Sequence, residues 1–243
     1  MPQRSGELPV WTWTLATMGG LVFVASLVFC GVRYAGRFGQ PIDWTTTGAP
    51  ALAILTNAAL FTAFALHHSI FARTGAKAWL GRHVPPALER ATYVWISSVL
   101  FLAVVGGWRL VPGTLWALGG WSSRVALALQ AAGILFTLAA ARRLDVLRLA
   151  GLRQVCDASR PSPDQLDTDG PYRLVRHPVY LGWFFMVWPT PLMTGTRVEF
   201  ALLSSVYLLA AVPFEERDLT RLFGDAYRAY QRRVRWRILP FVY

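Results

Sequence analysis

Two polar clusters of opposite charge flank an apolar stretch late in this chain. The first cluster is basic and consists of Arg173, Arg176 and His177, inside a run that extends from Gly170 to Gly182. The second cluster is acidic and consists of the adjacent pair Glu215-Glu216. A charge beside an apolar membrane segment loses hydration, and this costs free energy unless a partner or a ligand compensates for it. The two clusters therefore predict a site for a zwitterionic ligand at the membrane surface.

The basic cluster has the chemistry to hold a carboxylate. Pro178 suits the first position of a helix, which places His177 at or near the N-cap and leaves backbone N–H groups without helical partners. Arg173 and Arg176 add fixed positive charge, so we expect this end to bind the carboxylate of an amino-acid-like cofactor. At the acidic end, two carboxylates could together hold an ammonium group, or one could serve the cofactor while the other pairs with an arginine.

Aromatic side chains near the two clusters are candidates for stacking on a base. They are Tyr172, Tyr180 and Trp183. Taken singly, each charge could instead extend to the interface, and each aromatic ring could be part of an interfacial belt. Their predicted meeting at one depth of one hairpin favours a binding site.

The amino-acid composition is that of an integral membrane protein. The chain has 243 residues, of which 54% are hydrophobic and 15% charged, and it has 11 Trp. Uncharged stretches cover 8–32, 44–72, 91–108, 125–141, 177–196 and 200–214. A helix needs roughly 20 residues to cross the hydrocarbon core, so the first four are full spans and the last two form a tight hairpin. The sequence thus predicts an all-α, polytopic bundle of about six helices.

The sequence predicts one domain, 1–243, that consists of two parts. Residues 1–141 form the four spans, and 142–243 form a connector, the hairpin that turns at Met193–Thr196, and a cytoplasmic amphipathic helix over 214–235. The two cysteines, Cys30 and Cys156, make no thiolate cluster, so no metal site is predicted.

The charge distribution predicts the orientation in the membrane. The net charge is +11, but the basic residues lie beside apolar spans and in no nucleic-acid motif, so a lipid bilayer and not nucleic acid is the expected partner. With both ends of the chain in the cytoplasm, 19 Lys and Arg residues are inside and 5 are outside. A bacterial inner membrane suits this simple plan.

The motifs resemble those of the isoprenylcysteine carboxyl methyltransferase superfamily of membrane enzymes. The resemblance rests on Gly170–Gly182, on Phe214–Leu219 and on Phe223–Tyr230, and it implies an S-adenosylmethionine cofactor, S-adenosylhomocysteine as product and a cytoplasmic pocket. Upstream, 68–73 and 84–94 resemble the bacterial methanethiol S-methyltransferases, as does 151–155. The predicted cofactor-binding residues are Tyr172, Arg173, Arg176, His177, Tyr180, Leu181, Glu215 and Glu216.

The acceptor that the resemblance implies is a small thiol such as methanethiol. A thiol must react as its thiolate, so His68 is a candidate proton acceptor, with Arg90 and Arg176 as cations that favour the anion. A polar helix end at His68 and an ion pair between Glu89 and Arg90 are the structural alternatives.

Three other functions stay open at this stage. The acceptor could be lipophilic, which means carboxyl methylation of an isoprenylated cysteine or N-methylation of an amino-lipid. The protein could instead be a haem-binding isomerase or redox protein that uses His67 or His68 as a ligand. A membrane scaffold without catalytic activity is the third alternative.

Overall fold

The computed structural model describes residues 9–46, 48–71, 73, 80–144, 152 and 166–243. Within these ranges the helices are α1 Val10–Ala35, α2 Pro50–Phe71, α3 Glu89–Gly107, α4 Gly120–Ala141, α5 Pro178–Val187, α6 Gly195–Phe223 and α7 Asp225–Arg233. Two short strands, β1 Thr114–Ala117 and β2 Leu192–Thr194, pair antiparallel. The predicted all-α membrane bundle is therefore confirmed, and the strand pair is an addition to it.

Five of the described helices are long and apolar enough to cross a membrane. They are α1, α2, α3, α4 and α6. Helix α5 has ten residues and an axial length of about 15 Å, which is half of the hydrocarbon core. The hairpin is thus built from one long helix and one short helix, whereas the sequence predicts two short ones.

Helix α6 exceeds its predicted length because it includes charges at both ends. Arg197 and Glu199 lie in its first turns and are buried, with 8% and 9% of their surfaces exposed. The guanidinium of Arg197 donates to the carbonyls of Tyr34, Ala35 and Leu192. These bonds satisfy acceptors at the end of α1, so the charge is stabilised inside the protein.

The turn of the hairpin lies where the sequence places it. Thr194 is the N-cap of α6, and its side-chain oxygen accepts a hydrogen bond from the backbone N–H of Arg197 at 3.2 Å. Gly195 packs so closely against the preceding loop that a Cβ atom there would lie 2.3 Å from the carbonyl oxygen of Pro112. The strand pair and this contact hold the turn against residues 112–117.

The described residues form two compact units. The first comprises 9–32, 59–71, 73, 80–107 and residue 152, and one of its buried clusters is Ala16, Leu88 and Ala91 with Val84 and Leu152 around it. The second comprises 33–46, 48–58, 108–144 and 166–243. Phe38, Trp108 and Phe200 form an aromatic core in the second unit, with ring centroids 5.2 to 5.8 Å apart.

A pair of glycines brings α4 and α5 into backbone contact. A Cβ atom on Gly182 would lie 2.8 Å from the carbonyl oxygen of Gly133, and one on Gly133 would lie 2.8 Å from that of Gly182. Small residues at such a crossing allow two membrane helices to pack closely. Gly182 thus fixes α5, which begins at the basic cluster, against α4.

The predicted amphipathic helix is in fact divided between two helices. Helix α6 continues through Pro213 as far as Phe223, and α7 begins only after Gly224, whose φ is 55°. A positive φ is easily adopted by glycine and ends the helical geometry there. The expectation of one helix over 214–235 was therefore wrong in its bounds, because the first half of this stretch extends the hairpin.

Candidate functional site

The basic start of α5 meets the acidic part of α6. Nδ1 of His177 lies 3.3 Å from Oε2 of Glu215, and Nε2 lies 3.4 Å from Oε1 of Glu216. Nε of Arg176 donates to Oε1 of Glu216 at 2.6 Å. All four residues belong to the second compact unit. The two clusters that the sequence places at matching ends of a hairpin are therefore adjacent in the structure.

Glu216 is surrounded by side chains of the protein itself. Only 5% of its surface is exposed, and Arg176 holds one carboxylate oxygen. The other oxygen lies 3.3 Å from Nε of Arg237 and accepts a hydrogen bond from Gln231 at 3.3 Å. A buried carboxylate needs such partners to remain charged. Glu216 is thus an internal anchor that joins α5, α6, α7 and the segment after α7.

Glu215 lies at the edge of the same cluster and is accessible. Its side chain is 44% exposed, against 7% for the side chain of Glu216. The hydroxyl of Tyr180 donates a hydrogen bond to Oε1 of Glu215, while His177 lies beside Oε2. A half-exposed carboxylate beside an aromatic ring can receive an ammonium group from solvent. The two adjacent glutamates therefore have different environments.

His177 is the buried cation of the site. Its side chain is 7% exposed, and its ring stacks on that of Tyr180 with centroids 5.4 Å apart. Nε2 is within ion-pair distance of Glu216 but outside hydrogen-bonding geometry. Burial acts to lower the pKa of His177, but the two carboxylates at 3.3 and 3.4 Å outweigh burial and raise it. The site thus favours the imidazolium form.

The backbone at the basic cluster is held by the segment Arg235–Tyr243. The N–H of Arg176 donates to the carbonyl of Trp236 at 2.9 Å, and that of His177 donates to the carbonyl of Arg237 at 2.8 Å. As predicted, His177 is the N-cap of α5 and Pro178 is its first residue. These bonds fix the entry into α5 and with it the orientation of the His177 ring.

The remaining predicted donor-binding residues have varied positions. Arg173 has a side chain that is 73% exposed and bonds Asp169 at 2.7 Å. The pKa of that aspartate is lowered, chiefly by the hydrogen bond from Arg173. Tyr172 is half-buried against Tyr227 and Tyr230, and burial raises its pKa to about 12. Arg173 is therefore the accessible member of the basic cluster and pairs with Asp169, and the ring of Tyr172 is partly covered.

Two other predicted residues pack within the hairpin, Leu181 buried and Trp183 half-buried. Leu181 is 3% exposed and packs with Val175, Val212 and Ile238. Trp183 donates its indole N–H to Ser204 at 3.0 Å, within the hairpin. Their positions indicate packing between the hairpin helices beneath the polar cluster.

The predicted acceptor-side residues belong to the first compact unit. His68 lies near the end of α2, with Nδ1 2.9 Å from the hydroxyl of Tyr93 and its ring stacked on Phe64. Arg90 is half-buried in the first turn of α3. Within that unit, Tyr93 is a hydrogen-bonding partner that can orient the imidazole of His68. The catalytic roles of His68 and Arg90 remain predictions.

Three residues that contribute to the site were missed from the sequence. Gln231 and Arg237 bond Glu216, and Tyr243 supports Arg237 through a hydrogen bond to its hydroxyl at 3.0 Å. The signal that could have found Arg237 is the acidic pair itself, because two buried or half-buried carboxylates need more than one cation.

Comparisons with known proteins agree with this architecture. Residues 121–226 match the family model of phospholipid methyltransferase. Methanethiol S-methyltransferase of Mycobacterium tuberculosis is 41% identical over 220 residues, which is 88% of this chain and 90% of that protein. Methanethiol S-methyltransferase 2 of Bradyrhizobium diazoefficiens is 38% identical, over 87% of this chain and 83% of that protein.

A third relative comes from Crocosphaera subtropica. Methanethiol S-methyltransferase of Crocosphaera subtropica is 35% identical over 90% of this chain and 88% of that protein. No solved structure matches the chain. These identities hold over nearly the full length of both partners, so they include the spans as well as the site. The chain therefore belongs to the family of integral membrane methyltransferases that contains these enzymes.

Proposed function

We propose that this protein transfers the methyl group of S-adenosylmethionine to a small thiol such as methanethiol. The observation that carries the proposal is the difference in burial and pairing between two adjacent carboxylates. Glu216 is neutralised inside the protein, whereas Glu215 is half-exposed beside His177 and Tyr180. An accessible carboxylate next to cationic groups suits the amino-acid part of this donor.

The residues present fit the donor in charge and in the aromatic surfaces that they offer. Glu215 would bind the ammonium group, and the exposed guanidinium of Arg173 would bind the carboxylate. The rings of Tyr172 and Tyr180 are the surfaces for the adenine base. When bound, the sulfonium supplies an activated methyl group that needs no further activation by the protein.

The reaction is an in-line displacement. The thiolate sulfur forms a bond to the methyl carbon while the bond between that carbon and the sulfonium sulfur breaks, which yields a thioether and S-adenosylhomocysteine. The protein contributes alignment and exclusion of water. His68, hydrogen-bonded to Tyr93, is the proposed acceptor of the thiol proton, with Arg90 as a cation that favours the thiolate. Arg176 acts by holding Glu216 in place.

The proposed acceptor follows from the relatives, whose names specify methanethiol. The test is to incubate purified protein with labelled S-adenosylmethionine and with methanethiol, hydrogen sulfide, a farnesylcysteine analogue or an ethanolamine lipid in turn. We expect labelled dimethyl sulfide in the headspace when methanethiol is supplied. Label found only in the farnesylcysteine ester or in the lipid would refute the thiol proposal.

The binding site is tested by a conservative change at Glu215 and a matched change at Asp218. Glu215→Gln should weaken S-adenosylhomocysteine binding by about 1 to 2 kcal/mol, because a charge-assisted contact to the ammonium group is lost. Asp218→Asn is the matched control, since that side chain is also 44% exposed and lies one turn further along α6. Equal affinities of the two variants, measured by calorimetry, would remove Glu215 from the site.

The location of the protein is part of the same proposal. The protein lies in a bacterial inner membrane with both ends of the chain in the cytoplasm, because 19 of the 24 Lys and Arg residues then lie in cytoplasmic segments. A green fluorescent protein fused after residue 243 should fluoresce, and alkaline phosphatase fused there should be inactive. The reverse pattern would invert the topology and place the site outside.

A further inference from the structure

The segment Arg235–Tyr243 is built into the candidate donor site. It forms backbone hydrogen bonds with both residues that precede α5, as described above, and it folds back on itself. The N–H groups of Arg237 and Ile238 both donate to the carbonyl oxygen of Tyr243, at 2.8 and 3.0 Å. Ile238 is fully buried in the cluster that includes Leu181. The segment is thus fixed at its backbone and at an apolar anchor, which gives Arg237 a defined position.

The side chain of Arg237 connects this segment to the acidic pair. Its Nε lies 3.3 Å from Oε2 of Glu216. Its Nη1 donates to the hydroxyl of Tyr243 at 3.0 Å, and its guanidinium carbon lies 5.0 Å from the centre of that ring. Burial alone would lower the pKa of Arg237, but the hydrogen bond to Tyr243 and the negative charge of Glu216 raise it. The guanidinium is therefore a permanent charge with a restricted orientation.

The geometry around His177 shows why the orientation of Glu216 matters for Glu215. The imidazole lies between the two carboxylates, at 3.3 Å from one and 3.4 Å from the other. A carboxylate that lost a cationic partner would compete more strongly for the shared imidazolium. Arg176 bonds Oε1 of Glu216 and Arg237 pairs with Oε2, so each carboxylate oxygen of Glu216 has an arginine partner. His177 can then orient Glu215.

We propose that Arg237, supported by Tyr243, is a positioning residue for methyl transfer that holds Glu216 so that Glu215 presents its carboxylate to the methyl donor. This inference rests on the proposed function, because it assigns Glu215 to the donor. Arg237 acts through Glu216 and not by contact with the reacting atoms. Its removal should therefore change donor recognition while the chemical step and acceptor recognition are retained.

The test compares Arg237→Ala and Arg237→Lys with Arg232→Ala. Arg232 is exposed on α7 and controls for the loss of one positive charge. We expect Arg237→Ala to raise the KM for S-adenosylmethionine about fivefold to tenfold, with kcat and the KM for methanethiol within about twofold of wild type. Lysine keeps the positive charge but lacks the planar guanidinium that reaches both Glu216 and Tyr243. The KM for S-adenosylmethionine of Arg237→Lys should therefore lie between those of wild type and Arg237→Ala. Arg232→Ala should match wild type.

A double-mutant cycle separates positioning from simple structural support. In a Glu216→Gln background, Arg237→Ala should change donor affinity less than about twofold, because the group through which it acts has lost its charge. Equal effects of Arg237→Ala in both backgrounds, or equal rises in both KM values, would overturn the proposal. If Arg237→Ala fails to fold, Tyr243→Phe provides the same comparison, since it removes only the hydroxyl that holds the guanidinium. A wild-type protein that binds no donor would refute the proposed function instead.

Discussion

Replacing Gly182 with alanine is expected to separate α5 from α4. The added methyl group would lie 2.8 Å from the carbonyl oxygen of Gly133 and would overlap the side chain of Thr137. The first contact involves helix backbone, which cannot rotate away as a side chain can, so one helix has to shift. Overpacking of this kind costs about 1 to 3 kcal/mol, and the higher helix propensity of alanine returns up to about 1 kcal/mol. We expect a net loss of about 1 to 2 kcal/mol.

The matched control for this change is Gly31→Ala. Gly31 lies inside α1, and among the described residues no atom beyond the adjoining turns of α1 comes within 4 Å of the position of an added Cβ. Its replacement should be neutral or should stabilise by up to about 1 kcal/mol. Thermal unfolding in detergent, followed by tryptophan fluorescence, should show a Tm lower by about 2 to 8 °C for Gly182→Ala alone.

The same variant has a second readout in the site. His177 precedes Gly182 by five residues, or about 7.5 Å along the axis of α5, so a displaced helix moves the imidazole relative to Glu215. Binding of S-adenosylhomocysteine should weaken in Gly182→Ala and stay unchanged in Gly31→Ala. If the two variants have the same Tm and the same affinity, the glycine contact does not position α5.

Three further predictions concern charges and caps in the second unit. Because the pKa of His177 is raised in the folded protein, its contribution to the free energy of unfolding is complete below about pH 6.5 and is lost as the pH rises through the raised value. His177→Gln should therefore flatten the dependence of the free energy of unfolding on pH in this range. An unchanged pH dependence would contradict this prediction. Arg197→Gln should destabilise by at least about 3 kcal/mol in chemical unfolding, whereas Arg37→Gln, at an exposed position, should have no effect. Thr194→Ala removes the N-cap of α6 and should cost about 1 kcal/mol by the same measurement, and a value near zero would show that the cap bond is not needed.

The meeting of the two clusters could be predicted from the sequence because it depends on short-range features. A proline at the first helical position, an uncharged stretch and an acidic pair at its far end specify a hairpin whose polar ends coincide. In the structure, His177 lies beside both Glu215 and Glu216, and Arg176 bonds Glu216. Which glutamate is buried could not be predicted, since adjacent helical positions differ by rotation about an axis that the sequence does not orient.

Long-range partners explain the features that sequence reasoning missed. Seven basic residues lie between 217 and 237, and nothing in their spacing distinguishes Arg237 from the others. Its role depends on a turn that brings Tyr243 back to it. Arg197 is one of the five basic residues that the charge distribution places outside, yet it is buried in α6, where carbonyls of Tyr34 and Ala35 accept its hydrogen bonds.

Two adjacent glutamates can combine a fixed position with access to a ligand, which a single carboxylate cannot. A carboxylate that binds a cationic ligand has to remain accessible, and an accessible side chain is poorly fixed because solvent screens its contacts. A buried carboxylate can be fixed by cations from several elements but has no face left for a ligand. In this chain Glu216 joins Arg176 and Arg237 in the interior, and the helix transmits that fixed position to Glu215 one residue earlier. Exchanging the environments of the two carboxylates would therefore abolish donor binding even though both charges were kept.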